Sequence, residues 1–436
     1  MSTVSPEGYL PRVVDAQVER YLRVFGAVEI AGTKWCGKTW TALEHGKSAV
    51  YIDEGNNTAI ARAEPSLLLE GDRPRVIDEW QRAPGIWNAV RHAVDRARGT
   101  RGAWILTGSS TPLAEDSAEI DEEARHSGAG RIGKIRMYPM SLAESGDSNA
   151  SVSLSGLFAG EFSPAACDGG AAALVDLCCR GGWPEAIDLS AAEAQLVARS
   201  YLQSTWSETV PRMRKRPQTA ERLALSIARN LGQAVTYKTL VGDMYGSEEE
   251  PVGASSEETI ADYLGMLRRL YLIDEVHGWV PQARSPKRLA TKPKRYLADP
   301  SLAVALLGMG PESLVADWQT FGLLFENLAI RDLQVYSRAL DNIGSQPVRY
   351  YRDDTGLEAD AIIELADGRW AALEVKVSED KVEEGLGSLR RLKRKVSGGA
   401  GRAREPEFVA VVVGVSNYAR EVGEREYVIP IRCLGA

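Results

Sequence analysis

The sequence predicts an α/β fold divided into more than one domain. Short apolar runs of strand length alternate with segments whose apolar residues recur at helical spacing, as in sheets with helices between the strands. The chain has 436 residues, of which 44% are hydrophobic and 26% charged, the balance of an ordinary globular protein. A single core rarely supports this length, so we expect roughly two to four domains.

Composition also bears on partners and location. The net charge of −8 gives no whole-chain argument for nucleic acid, so local basic patches must carry any such claim. The five cysteines lack C-x-x-C or zinc-type spacing, which indicates a reducing compartment without structural disulfides or zinc. We see no basic and apolar leader and no apolar run of about 18 residues, and therefore expect no membrane segment and a cytoplasmic location.

The first strand and the loop after it carry the strongest pattern in the chain. A helical segment over residues 8–25, with Arg12 and Arg23 expected on solvated faces, leads into an apolar run at 27–31. Residues 32–39 then read Gly-Thr-Lys-Trp-Cys-Gly-Lys-Thr, a complete G-x-x-x-x-G-K-[ST] match, and a helical segment follows. Strand, loop and helix in this order are the context that a phosphate-binding loop requires.

The residue types in this loop fit phosphate chemistry. Backbone N–H groups and a helix N-terminus converge on the phosphates, and Gly32 and Gly37 allow the backbone to approach closely. Lys38 would supply a cation for the phosphates and the Thr39 hydroxyl would hold Mg²⁺. The loop therefore predicts a nucleotide site with Mg²⁺.

Two carboxylates end a later strand. The second strand, 48–53, ends at Asp53, which could lie near the nucleotide or cap the strand. The third runs through Val76 and Ile77 into Asp78 and Glu79. Because the carboxyl ends of parallel strands open on the ligand crevice, we predict Asp78 as a Mg²⁺ partner and Glu79 as the base that orients water.

Two further strands complete the predicted sheet. The strand at 103–107 precedes Ser109, which we predict to sense the γ-phosphate, although a serine-rich turn is the alternative. The strand at 134–138 has Arg131 and Arg136 nearby, either as cations for the transferring phosphoryl group or as solvated arginines. Five strands alternating with helices predict a doubly wound P-loop ATPase domain over 1–150, and the lack of an Asn-Lys-x-Asp motif favours ATP over GTP.

The middle of the chain is predicted to be helical. Residues 144–170 are rich in Gly, Ser, Ala and Asp, so 151–215 is predicted to be a flexible insertion and a helical lid. Three helices, followed by a hairpin formed by 272–276 and 279–280, predict a winged-helix-like module over 216–296.

Charge in this module leaves DNA binding open. Glu257 and Glu258 open the third helix and 248–250 is a run of glutamates, which phosphates would repel. A basic run follows the hairpin, either as a solvated linker or as a nucleic-acid contact: Arg284, Lys287, Arg288, Lys292, Lys294 and Arg295.

The C-terminal region, 297–436, contains two strands whose pairing depends on the turn at Gly368. A two-residue turn would place Asp360 opposite Val375, whereas a three-residue loop with Gly368 left-handed places Asp360 opposite Glu374. The second register sorts the apolar residues onto one face and leaves Asp360, Glu374 and Lys376 together on the other. We therefore predict the second register.

Two apposed carboxylates repel each other unless a cation lies between them. Mg²⁺ or Mn²⁺ would serve, with Lys376 positioning or deprotonating a water and Glu326, on a preceding helix, adding a further carboxylate. The alternative is a polar sheet face with an ordinary salt-bridge network formed by Asp360, Glu374 and Lys376.

The order of motifs resembles that of bacterial and archaeal AAA-type ATPases that carry a C-terminal domain of unknown function, the one numbered 4143. Besides the loop at 32–39, the motifs are Ile77-Asp78-Glu79-Trp80-Gln81, Leu106-Thr107-Gly108-Ser109-Ser110, Tyr138-Pro139-Met140-Ser141-Leu142, Gly182-Trp183-Pro184-Glu185, Phe325-Glu326-Asn327, and Glu358-Ala359-Asp360 with Glu374-Val375-Lys376. AAA-type ATPases commonly complete their site with an arginine from a neighbouring subunit, which implies a homo-oligomer, but no residue here matches such a finger.

The C-terminal set is also similar to the PD-(D/E)xK nuclease superfamily, with Ala359 where that motif has proline. The resemblance implies that Asp360 and Glu374 are metal ligands, Lys376 the catalytic lysine and Glu326 the helix acid. We therefore expect an ATP-binding, Mg²⁺-dependent ATPase coupled to winged-helix and nuclease-like domains that act on DNA. The alternative is a nucleotide-gated switch or binding protein whose nuclease-like domain is catalytically silent and recognises a partner.

Overall fold

The computed structural model describes residues 4–97, 99–111, 128–245, 257–281, 291–398 and 404–436. The chain divides into two compact units. The first comprises Met1–Pro139, Glu208–Lys215 and Met266–Leu272, and the second comprises Met140–Ser207, Arg216–Gly265 and Ile273–Ala436.

The first unit is built on a five-stranded parallel sheet with the order β2-β3-β4-β1-β5. Its strands are β1 (Ala27–Gly32), β2 (Ser48–Tyr51), β3 (Arg75–Asp78), β4 (Trp104–Gly108) and β5 (Ile132–Met137). Its helices are α1 (Asp15–Val24), α2 (Lys38–Glu44), α3 (Asn57–Ala63) and α4 (Gly85–Arg96), with a short turn of helix at Val210–Arg212.

Both faces of this sheet are buried, which explains why its strands read as apolar runs. On β1, Ala27 belongs to one core cluster and Val28 to another, because successive side chains point to opposite faces. The first cluster includes Trp87 of α4 and the second includes Val18 of α1. The predicted parallel α/β sheet is confirmed, and its order brings the carboxyl end of β1 between those of β4 and β5.

The second unit contains the remaining helices and a seven-stranded mixed sheet. Its helices are α5 (Leu154–Ala159), α6 (Ala171–Arg180), α7 (Ala191–Ser204), α8 (Pro217–Arg229), α9 (Tyr237–Tyr245), the first part of α10 (Glu257–Arg269), α11 (Pro300–Leu307), α12 (Pro311–Ala316), α13 (Trp318–Ser337) and α14 (Val382–Gly398). Its strands are β6 (Val152–Ser153), β7 (Ala165–Ala166), β8 (Ile273–Val276), β9 (Lys294–Leu297), β10 (Ile343–Arg352), β11 (Glu358–Leu365), β12 (Trp370–Ser378), β13 (Phe408–Val415), β14 (Tyr418–Gly423), β15 (Glu426–Pro430) and β16 (Leu434–Gly435).

The large sheet has the order β10-β11-β12-β13-β15-β14-β7. Strands β12, β13 and β15 run parallel, while β10, β11, β14 and β7 pair antiparallel with their neighbours. Strand β7 falls within the segment predicted to be a flexible insertion, and β6 from the same segment pairs with β16. Backbone pairing therefore incorporates parts of this glycine-rich segment into the second unit.

The hairpin predicted after the third helix of the middle region has a different partner. Strand β8 pairs antiparallel with β9, and not with residues 279–280. Gly278 instead bridges to Tyr350, and the Trp279 ring lies 4.7 Å from the Trp370 ring. The prediction was wrong because Trp279 gains more apolar contact against the large sheet than a short exposed hairpin would offer.

The register predicted for β11 and β12 is confirmed. Ala361 lies opposite Leu373 and Ile363 opposite Ala371, with Gly368 at φ 83° in the turn. The face that carries Asp360 and Glu374 is not an open polar face, however. It also carries Ile362, Trp370 and Ala372, which pack in one core cluster with Leu386 and Leu389 of α14.

None of the helices within the described ranges is both long enough and apolar enough to cross a bilayer.

Candidate functional site

The loop at residues 32–39 connects β1 to α2 and requires glycine at two positions. Gly37, immediately before α2, has φ 99°, a left-handed conformation that favours glycine. A Cβ atom at Gly32 would lie 2.2 Å from the carbonyl oxygen of Met137, so no larger residue fits. These two glycines let the loop close over the end of the sheet.

Arg12 is buried beside this loop. Its Nη1 donates to the carbonyl of Cys36 and its Nη2 to the carbonyl of Tyr138, both at 2.9 Å. The expectation of a solvated side chain was wrong, because these backbone acceptors lie 24 and 126 residues away and leave no local pattern. Arg12 thus fixes the loop to the chain that follows β5.

Lys38 is buried and points back into the loop. Its Nζ donates to the carbonyl of Thr33 at 2.7 Å. An ammonium carries three N–H donors, and phosphate oxygens are stronger acceptors than a neutral carbonyl. Lys38 is therefore held in the loop by a contact that a phosphate can replace.

Two hydroxyl groups and one carboxylate meet at the carboxyl ends of β3 and β4. The Thr39 hydroxyl donates to Asp78 Oδ1 at 2.7 Å, and the Thr107 hydroxyl donates to the same oxygen at 2.5 Å. Asp78 is buried at the last position of β3. Thr107 thus positions the carboxylate that Thr39 contacts, a role for Thr107 that its strand position alone did not indicate.

Glu79 follows Asp78 in a left-handed conformation, with φ 56°. Its N–H donates to the Thr107 hydroxyl at 3.2 Å, and its Oε2 accepts from Gln81 Nε2 at 2.6 Å. The same Gln81 nitrogen lies 3.1 Å from the Ser109 hydroxyl. Burial raises the pKa of Glu79, an effect that Lys38 partly opposes. Gln81 and Ser109 therefore hold a carboxylate suited to accepting a proton.

The residues at this end of the sheet fit a magnesium ion. Thr39 and Asp78 offer a hydroxyl and a carboxylate oxygen next to each other, and Mg²⁺ prefers oxygen ligands. Across the described residues, no three His, Cys, Asp or Glu side chains form a group that could hold a metal ion. In nucleotide sites Mg²⁺ binds one or two protein ligands and completes its shell with phosphates and water.

The two predicted arginines lie at opposite ends of β5, with Arg131 before its first residue and Arg136 beside Ala31 near its last. Arg131 lies just before β5, at the amino ends of the strands, because Ile132 pairs with Ala27 at the start of β1. Its Nε contacts Asp95 at 2.8 Å. The structure therefore does not bring Arg131 to the loop of its own chain. Arg136 stacks on the rings of Tyr138 and Tyr271.

In the second unit, the predicted carboxylates do come together. The N–H of Val375 donates to Asp360 Oδ2 at 3.0 Å, and Lys376 Nζ lies 3.0 Å from Glu374 Oε2. Asp360 and Glu374 are only 9% and 5% exposed. Burial and the adjacent Asp360 raise the pKa of Glu374 to about 9.

A second lysine, which the predicted set lacked, lies among these acids. Lys294 of β9 contacts Glu326 at 3.4 Å, Glu358 at 2.7 Å and Asp360 at 3.2 Å. Burial raises the pKa of Glu326 to about 7, with Asp360 adding to the rise and Lys294 opposing it. Sequence spacing gave no signal for Lys294, because it lies far along the chain from its partners.

The basic run predicted as a nucleic-acid contact or linker is only partly on the surface. Lys292 is exposed, but Lys294 and Arg295 are buried, and Arg295 Nε contacts Glu275 at 3.0 Å. The prediction of a continuous exposed run was therefore wrong, because the consecutive residues Lys294 and Arg295 of β9 both contact acids inside the unit. Outside the described residues lie Arg284, Lys287 and Arg288.

Comparison with known proteins supports part of the domain organisation predicted from the sequence. Residues 25–146 match a family model described as an AAA domain, residues 171–313 one described as domain of unknown function DUF8612, and residues 321–434 one described as domain of unknown function DUF4143. A comparison with curated proteins gives no match. A solved Walker-type ATPase of Pyrococcus abyssi is similar at 13% identity and a TM-score of 0.42, over 70% of this chain and 98% of that chain.

The structural similarity is too low to equate residues between the two chains. The matched family models, with the parallel sheet and its loop, support a P-loop ATPase that carries a C-terminal domain of the DUF4143 type. Nucleotide binding, usually with Mg²⁺, is what such an ATPase domain implies.

Proposed function

We propose that the first unit binds ATP with Mg²⁺ at the loop of residues 32–39 and hydrolyses it. The observation that carries the proposal is the hydrogen-bonded group at the carboxyl ends of β3 and β4. There, Asp78 accepts from Thr39 and Thr107, while the neighbouring Glu79 accepts from Gln81. A metal-binding pair and a positioned base next to a phosphate-binding loop are the parts that phosphoryl transfer to water needs.

Each side chain has a separate task in this proposal. Lys38 exchanges the Thr33 carbonyl for phosphate oxygens, and the loop N–H groups bind the same phosphates. Thr39 and Asp78 would hold Mg²⁺, which neutralises charge on the phosphate oxygens. Glu79 orients the attacking water and accepts its proton, and Ser109 and Gln81 keep the Glu79 carboxylate in place.

ATP turnover by a Lys38→Ala variant tests the proposal. The substitution removes the phosphate cation, and we expect turnover to fall about 100-fold or more, with ATP binding weakened. Lys47→Ala, which changes an exposed lysine just after α2, is the matched control and should turn over ATP normally. Wild-type turnover by a folded Lys38→Ala protein would contradict the proposed site.

For the C-terminal region, the structure favours the second sequence hypothesis, in which this domain recognises a partner without cutting it. Asp360 and Glu374 are buried and α14 packs on the face that carries them, whereas a nuclease must bring these carboxylates to a phosphodiester. Nucleotide binding in the first unit would then control recognition of a partner, with DNA as one candidate. The winged-helix-like module predicted over 216–296 would then be a segment that contacts the partner.

A cleavage assay separates the two hypotheses. Linear and circular DNA are incubated with purified protein and Mg²⁺ or Mn²⁺, with and without ATP, beside a Glu374→Ala variant. We expect no cutting that depends on Glu374, while ATP hydrolysis remains intact. Cutting that Glu374→Ala abolishes would restore the nuclease assignment, with Asp360 and Glu374 as ligands and Lys376 as the catalytic lysine.

A further inference from the structure

The buried ammonium of Lys294 lies among three carboxylates that come from two different elements. Glu326 belongs to α13, and Glu358 and Asp360 belong to β11. The distances from Nζ to the nearest carboxylate oxygens are 3.4, 2.7 and 3.2 Å respectively. Only 4% of the lysine side chain is exposed. Lys294 and these three acids form the lysine cluster.

The chemistry of the donor set argues against a metal ion in the same place. An ammonium has three N–H donors, and here it has three carboxylate partners, one for each donor. A divalent ion would need the same oxygens at about 2.0–2.6 Å. Because the two cations require the same acceptors, a metal could enter only by expelling Lys294 from the cluster. The nuclease resemblance implies a metal at Asp360 and Glu374 with Glu326 nearby. Lys294 already takes Asp360 and Glu326, so the residues present do not fit that metal.

Neighbouring groups close the lysine cluster. The Tyr296 hydroxyl, two residues along β9, donates to Glu326 Oε1 at 2.6 Å. A Cβ atom at Gly232 would lie 2.7 Å from the same carboxylate oxygen, so the turn after α8 is packed against Glu326. The Tyr350 ring lies 5.5 Å from Lys294 Nζ and adds a cation–π contact. The contacts of Tyr296 and Tyr350 stabilise Glu326 and Lys294 without a bound ion.

We propose that Lys294 is an internal cation that takes the place of a divalent metal among Glu326, Glu358 and Asp360. The lysine cluster is then a salt-bridge network that joins β9 to α13 and β11. This inference does not depend on ATP hydrolysis by the first unit, since every residue in it belongs to the second unit.

Manganese binding to nucleotide-free protein tests the proposal. Free Mn²⁺ is measured by electron paramagnetic resonance during titration of wild-type, Asp360→Asn, Lys294→Ala and Lys294→Ala/Asp360→Asn proteins. The curve of Asp360→Asn is subtracted from that of the wild type, and the curve of the double variant from that of Lys294→Ala. Each subtraction removes ions bound elsewhere, including any at Asp78. We expect no Asp360-dependent Mn²⁺ in the wild-type protein. Lys294→Ala should gain about one ion per chain, and the double variant should lose it.

Two results would overturn the proposal. The first is Asp360-dependent Mn²⁺ binding by the wild-type protein, because the ion and Lys294 would then share the carboxylates. The second is a folded Lys294→Ala protein that gains no such ion. Circular dichroism checks folding, and Lys294→Gln, which keeps more of the side-chain volume, replaces Lys294→Ala if the smaller residue unfolds the chain. The comparison of wild type with Asp360→Asn decides the first question whether or not the Lys294 variants fold.

Discussion

The two units each bury a lysine near carboxylates, but they give it different partners. Lys38 donates to one neutral backbone carbonyl in a glycine-containing loop. Lys294 contacts three carboxylates from a helix and a strand. In the proposed function the first lysine exchanges its partner for a phosphate, whereas removing the second would leave three acids without their counter-ion. The comparison teaches that the acceptors around a buried lysine, more than its burial, decide whether it is available to bind a ligand.

Glu79→Gln tests whether the first site is built for turnover. Glutamine keeps the shape of the side chain but cannot accept a proton, so we expect kcat for ATP hydrolysis to fall about 100- to 10,000-fold. Nucleotide binding, measured by calorimetry, should be retained because Lys38 and the loop are unchanged. Glu54→Gln, at an exposed position after β2, is the control. A drop of less than tenfold would show that Glu79 is not the base.

Lys294→Met tests the other half of the comparison through stability. Methionine keeps much of the apolar stem but removes the charge, leaving Glu326, Glu358 and Asp360 without their buried partner. We expect the free energy of unfolding of the second unit to fall by about 3–5 kcal/mol, as when one member of a buried ion pair is lost. Urea unfolding followed by fluorescence measures this change. Lys292→Met, two residues earlier and exposed, should change it little.

Gln81→Ala sharpens the comparison, because it alters how the first site is positioned without touching its lysine. Gln81 Nε2 donates to Glu79 and to Ser109, so its loss removes hydrogen bonds that orient the carboxylate. A net loss of about 1 kcal/mol corresponds to roughly a fivefold lower kcat. Affinity for ATP should stay the same, since Gln81 does not hold Lys38. Weakened ATP binding with an unchanged kcat would argue against this positioning role.

Asp353 is a carboxylate near the surface of the second unit, and the Asp353→Asn variant allows it to be compared with the lysine cluster. Burial alone would raise the pKa of Asp353, but hydrogen bonds from Lys395, Thr355 and the N–H of Leu357 outweigh it and lower the pKa. Because the folded pKa is lowered, the stabilisation is present above the unfolded value of about 4 and is lost as the pH falls through the folded pKa.

We expect the Asp353→Asn variant to be less stable than wild type by up to about 1 kcal/mol at pH 7, with the difference shrinking below pH 4. Urea unfolding at pH 7 and pH 3 measures both values. A difference that grows as the pH falls would contradict the assigned sign of the pKa shift.

Much of the first unit could be predicted from the sequence because its signals are local. The glycines and Lys38 lie within eight residues of one another, and Asp78 and Glu79 end an apolar run, so parallel-sheet geometry alone brings them to the same edge. The pairing of Asp360 with Glu374 was also predictable, because the turn at Gly368 and the alternation of apolar residues select one register. Arg131 lies at the other end of the sheet because it precedes β5, and in a parallel sheet the residues before a strand lie away from the carboxyl ends.

The sequence by itself determined the parallel α/β architecture, the phosphate-binding loop and the pairing of the C-terminal carboxylates. Only the tertiary structure decided that Arg12 holds the loop, that Gln81 holds Glu79, and that Lys294 fills the acidic cluster. Local periodicity and turn chemistry act between neighbours along the chain, so they can be read from it. The partners of a buried charge are chosen by packing between distant segments, where acceptors must be found inside the unit because water is excluded.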